Sequence, residues 1–103
     1  VCARLGITTR LGDSGDFVLR GERSERLASI CAQAGARVYV SGPSARDYLD
    51  DGAFARQGIA VEWFHYGPYR EYPQPWGAFE HHVSVLDLLF NAGAEAPALV
   101  RRA

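Results

Sequence analysis

Lysine and methionine are both absent, so all eleven positive charges are arginines. With the many alanines and glycines this fits a high-GC genome and assigns no arginine function by itself. The missing methionine, even at position 1, leads us to expect a chain that begins inside its gene product. Cysteine is scarce: Cys2 and Cys31 form no CxxC pair, which excludes a disulfide miniprotein and points to a reducing, cytoplasmic compartment. No apolar run approaches the roughly 18 residues a membrane span needs. An excess of charge of one sign is also missing. The net charge of −1 excludes the pull toward nucleic acid or anionic membrane that a basic protein has.

What is present is an ordinary globular mixture, 48% apolar and 22% charged over 103 residues, enough for one core. One α/β domain over 1–103 is expected. Ile7, Thr8 and Thr9 are β-branched, so Leu5 to Leu11 reads as a strand, stopped by Gly12, Asp13, Ser14 and Gly15. Ser24 stands where a helix N-cap belongs. Leu27, Ile30, Cys31 and Ala34 follow at i, i+3, i+4 and i+7, and Gly35 closes that helix. Arg37 to Val40 reads as a strand, and Pro43 suits the first turn of the next helix, which carries Arg46 to Leu49. Asp50 or Asp51 caps a short helix over Ala53 to Gln57, ended by Gly58, and Ile59 to Phe64 is a third strand. An irregular segment from His65 to Gly77 holds Pro68, Pro73 and Pro75. A last helix covers Val83 to Ala92, and the tail from Glu95 to Ala103 adds a frayed turn.

Strands separated by helices favour a small, mostly parallel sheet with crossover helices in Rossmann-like layering. Ligands of such sheets bind beyond the carboxyl ends of the strands. Gly12 to Asp16, Ser41 to Ser44 and the aromatic loop from His65 all fall there.

Within Ser41-Gly42-Pro43-Ser44, the N–H groups of Ser41 and Gly42 are candidates to hold an anion at a helix start. The plainer reading is a tight turn capped by a serine. Glu80, Ser84, Asp87 and Asn91 are spaced by four, three and four, one polar stripe on the last helix. That stripe is either a solvent face or one wall of a site. Ser84 and Asp87 also resemble a capping box. The segment Tyr69 to Trp76 offers amphipathic rings and the amide of Gln74, suited to a pocket wall or to covering a sheet edge. Tyr48 and Tyr72 are candidates to orient a substrate, with Asn91 beside Asp87. Asp87 is a candidate base or hydrogen-bond anchor. Convergence of Ser41, Gln74 and Asp87 at one sheet edge is the expectation. His65, His81 and His82 lack the spacing of a zinc site, and Cys31 lies mid-helix without a GxSxG or triad context. No metal site is expected, and no cofactor is implied.

These pieces together resemble the C-terminal half of the WbqC-like family. The resemblance runs from about Leu5 to Glu95. It rests on Leu5-Gly6-Ile7, Glu25-Arg26-Leu27 with Ile30-Cys31, Tyr39-Val40-Ser41-Gly42-Pro43 with Asp47-Tyr48-Leu49, Gly58-Ile59 with Val61-Glu62-Trp63, and Tyr72-Pro73-Gln74. The run from Ser84 to Gly93 is the most distinctive. His81 and His82 depart from the family pattern. The resemblance implies a chain about twice this length, opening on a histidine–glutamine–proline segment that is absent here. It also implies association with bacterial surface-polysaccharide (O-antigen) gene clusters and a glycine, aminoacyl or other group transferase. The substrate would be a small molecule or an activated sugar or acyl compound, and the partner the missing N-terminal half or a second copy. A non-catalytic binding or assembly module and an inactive remnant are the alternatives.

Overall fold

The structure, a computed structural model, describes residues 1–101. It has two compact units, one from Leu11 to His65 and one that joins Val1–Arg10 to the chain from Tyr66 on.

In the Leu11–His65 unit, Asp13 starts a 3-10 turn over Ser14–Asp16. Its Oδ1 accepts from the Gly15 N–H, while Asp16 Oδ2 accepts from the Asp13 N–H. Helix α1 spans Ser24–Gln33. Its buried face is made by Ser24 and Ala28, with Cys31 half-buried beside them, rather than by the expected Leu27 and Ala34, which are exposed. Small residues win because α1 lies close against a second helix, leaving no room for a leucine. Ser24 is the first helical residue and not the cap. Arg23 takes the cap position, at φ 49°, and the Ser24 hydroxyl instead accepts the Asp50 N–H at 2.9 Å. Gly35, at φ 73°, closes α1 as expected. Its N–H reaches Ala32 O and the Ala36 N–H reaches Cys31 O, the paired bonds of a Schellman motif.

Strand β1 (Val38–Ser41) and strand β2 (Ala60–Trp63) form a parallel two-stranded sheet, with Val38 opposite Ala60 and Ser41 opposite Trp63. The chain is thus a small α/β protein. The connection between the strands is a 3-10 helix over Pro43–Asp47 followed by α2 (Asp51–Ala55), where a continuous helix through Leu49 was expected. Asp50 caps α2 through Oδ1, which accepts the Gly52 N–H. Alternation along each strand sends Tyr39 and Val61 to one face. There they join Ala28, Ala53, Ile59 and the fully buried Phe54. The Tyr39 and Phe54 rings stack at 4.7 Å. The Arg46 guanidinium sits 5.2 Å over the Trp63 ring.

The other unit holds α3 (Val85–Ala92), a 3-10 turn (Gly93–Glu95) and α4 (Ala96–Leu99). Leu5, Leu88 and Ala96 form its core, flanked by Tyr72, Val85, Leu89 and Leu99. The expected strand from Leu5 to Leu11 does not form. Residues 2–6 make a turn instead: the Leu5 N–H donates to Val1 O and the Ile7 N–H to Cys2 O, with Gly6 at φ 69°. Beyond it Ile7 and Leu11 are exposed. β propensity alone cannot hold a strand that has no neighbour to hydrogen-bond. The expected tail turn corresponds to α4 as far as Leu99, and its last two residues, Arg102 and Ala103, lie outside the described residues. Among the described residues no helix is long and apolar enough to cross a membrane.

Candidate functional site

Ser84 starts α3. Its Oγ accepts the Leu86 N–H at 3.2 Å, so the serine half of the expected capping box is present. The acidic half is spent elsewhere. Asp87 Oδ2 accepts the Tyr72 hydroxyl at 2.6 Å and the Gln74 Nε2 at 2.9 Å. Asp87 Oδ1 accepts the Asn91 amide at 3.2 Å, and the same amide reaches Asp87 O at 2.9 Å one turn back. The spacing of Asp87 and Asn91, one helical turn, makes that pairing. Tyr72, Gln74, Asp87 and Asn91 are therefore one cluster.

The three donors fix the charge of this cluster. Tyr72 first, then Gln74, hold the Asp87 carboxyl below its usual range by hydrogen-bonding the ionised form, against a smaller opposing effect of burial; Asn91 adds to the lowering. The Tyr72 phenol is pushed up, mainly by desolvation and then by its bond to Asp87. A carboxylate with a lowered pKa and three donors on it binds a proton poorly. Of the two roles considered for Asp87, this favours the anchor over the base.

Gln74 is a clasp. Its Oε1 accepts the Glu80 N–H at 2.9 Å, and its Nε2 donates to Glu80 O at 3.2 Å as well as to Asp87. One side chain thereby closes the 74–80 loop into a ring and ties it to α3. Both amide hydrogens are used, which leaves Gln74 suited to shaping the loop more than to holding a substrate.

Beside the cluster lies an open groove of about 380 Å³. Its polar and aromatic wall is Tyr66, Tyr69, Arg70, Tyr72, Phe79 and His81, and α3 supplies Val85 and Leu88. Tyr72 links cluster and groove, because its ring lines the groove and its hydroxyl rests on Asp87. Phe79 meets the Tyr72 ring edge-on at 4.9 Å and the His81 ring at 4.6 Å. His81 Nε2 stands 3.7 Å from Glu71 Oε1, an exposed pair. Arg70 falls in the segment expected to form a pocket wall, whereas Phe79 and His81 were not singled out as groove residues in the sequence. The available signal is the i, i+2 spacing of Phe79 and His81, which in extended chain puts both on one side. Trp76, grouped in the sequence with the pocket aromatics, is instead 85% exposed and lines no part of this groove.

The remaining expected residues belong to the Leu11–His65 unit. Ser41 is buried at the end of β1, and its hydroxyl donates to Gly42 O at 3.4 Å. Gly42 precedes the Pro43 turn, which gives an anion fewer aligned N–H groups than an α-helix start would. Tyr48 is exposed and lines a groove with Arg23, Arg26, Leu27 and Leu49. Cys31 is half-buried, and burial raises its thiol pKa, so it is not poised as a thiolate. Among the described residues no group of three or more His, Cys, Asp or Glu side chains is placed to hold a metal ion.

A two-stranded parallel sheet with helices, and a second unit that carries a clasped aromatic loop against a helix, define a small α/β protein with one polar cluster and an adjoining groove. Residues 1–98 match the WbqC-like protein family, and the chain belongs to it. It is 55% identical over 101 residues to the uncharacterized protein Rv1507c of Mycobacterium tuberculosis, a match that covers 98% of this chain and 44% of that protein. The chain thus spans less than half the length of this relative. No solved structure matches it.

Proposed function

We propose that this chain is the substrate-holding part of a group transferase that moves a glycyl, aminoacyl or related acyl group during assembly of bacterial surface polysaccharide such as O-antigen. The observation that carries the reading is Tyr72, whose ring lines the aromatic groove while Asp87 fixes its hydroxyl. Pockets that select small ligands combine such rings with a few fixed polar groups. Here Tyr72 faces the substrate, and Asp87, Gln74 and Asn91 are positioning residues that act through it. Within the Leu11–His65 unit, the backbone N–H groups of Ser41 and Gly42 are assigned an anion-holding role and Tyr48 an orienting one. The polar stripe of α3 favours this reading at Asp87, which takes the loop's Tyr72 and Gln74, with Asn91 bonded to it one turn on.

The test is deletion of the gene encoding this chain in its source cell, with mass spectrometry of the extracted surface polysaccharide. Loss of an acyl or aminoacyl substituent, restored by the wild-type gene and not by Tyr72→Ala, is the expected outcome. An unchanged polysaccharide in the deletion strain overturns it. The alternative is a non-catalytic assembly module, favoured by a separate observation. Helix α3 turns Leu86 and Phe90 outward, Phe90 being 85% exposed. In that case the deletion strain loses the assembly of a complex and not a substituent.

A further inference from the structure

The sheet of the Leu11–His65 unit has one covered face and one bare face. Helices α1 and α2 both contribute to the covered side, where Ala28, Ala53 and Phe54 pack with Tyr39 and Val61. The other face carries Val38, Val40, Ala60 and Glu62, all exposed, with Val40 at 56%. Val38 stands opposite Ala60, and Val40 opposite Glu62. A parallel sheet left open like this is physically unusual. Crossover connections normally leave helices on both faces, so parallel strands are buried on both sides. Two short strands are also too few to be stable by themselves.

Length indicates what covers the face. More than half of the M. tuberculosis relative lies outside the matched region. We propose that the Val38, Val40 and Ala60 face is the docking surface for that further portion of the WbqC-like fold. The occupant lays an apolar element across the two valines. It sets a cationic side chain opposite Glu62, which has no ion pair among the described residues. A second copy of this chain fits less well. Two-fold apposition of so small a face puts two Glu62 carboxylates into one interface, and the four residues of the face supply no cation to either.

Cysteine accessibility tests the proposal. Val40→Cys and, as a control, Leu11→Cys, 74% exposed, are placed singly in this chain. The same substitutions are placed in a chimera in which this chain replaces the matched segment of the M. tuberculosis relative. Maleimide labelling is read residue by residue, so that Cys2 and Cys31 do not interfere. In the chimera Cys at position 40 should label about tenfold more slowly than in this chain alone, while position 11 is unaffected. Adding Glu62→Lys to the chimera should restore fast labelling at position 40. Equal rates in the two contexts overturn the proposal. So does slow labelling of this chain alone that depends on its concentration, which assigns the face to a second copy. The natural full-length relative, with cysteine at the position aligned to Val40, repeats the measurement in a chain whose folding does not depend on the chimera, with the same outcomes.

Discussion

The Tyr72 hydroxyl donates to Asp87 Oδ2 across 2.6 Å and fastens the proline-rich loop to α3. Three donors lower the Asp87 pKa, and Tyr72 contributes most. A group depressed in the folded state stabilises the fold above its unfolded pKa, about 3.9 for aspartate. That contribution is lost as pH falls through the lower folded value. Tyr72→Phe should therefore move the Asp87 carboxyl titration, followed by carbon-detected NMR, upward toward the ordinary value. It should also flatten the acid side of the melting-temperature profile. An unmoved titration contradicts the bond's role.

Phe54 is fully buried and stacks on Tyr39, which makes it the keystone of the Leu11–His65 core. Phe54→Ala removes the ring and leaves a cavity, at a cost of about 3–5 kcal/mol. That is a large share of the 5–15 kcal/mol typical of a native protein. Urea unfolding should show a midpoint lowered accordingly, whereas Phe90→Ala, at an exposed position, should leave it within about 0.5 kcal/mol.

Gly35 ends α1 at φ 73° with open space around a would-be Cβ. The cost of Gly35→Ala is thus purely conformational, about 1 kcal/mol, because a left-handed backbone crowds any Cβ against its own carbonyl. For a domain of this size the melting temperature should fall by about 4–8 °C. Gly35→Asn should recover part of the loss, since asparagine tolerates this region better.

Gln33 grips Val18 twice. Its Nε2 donates to Val18 O at 2.7 Å and its Oε1 accepts the Val18 N–H at 2.9 Å. These bonds hold the segment ahead of α1 to the helix across fifteen residues of sequence. Gln33→Ala should release it, seen as faster amide exchange at Val18 and faster tryptic cleavage after Arg20. Global stability should change by only about 1 kcal/mol, because the bonds are exposed.

Helix ends were the most readable part of the sequence. Asp50, Ser84, Gly35 and Gly58 act within a few residues of their own position, so local chemistry is enough to place them. Strands β1 and β2 were readable for a related reason, since their β-branched and aromatic residues are bounded by turn residues on both sides. The face that α1 buries was not readable. Leu27 outranks Ala28 in hydrophobicity, yet close approach to α2 selects the smaller side chain.

The sequence by itself determined the α/β class, the family and the placing of Asp87 and Asn91 one turn apart on the last helix. Spacing and residue chemistry set all of these locally. Only the tertiary structure decided that Leu5 to Leu11 finds no strand partner, that Trp76 points away, and that Gln74 spends its amide on Glu80 and Asp87. It alone assigned Phe79 and His81 to the groove and left Val38 and Val40 uncovered. Each of these depends on what packs against a residue from far along the chain, which is information that neither propensity nor period contains.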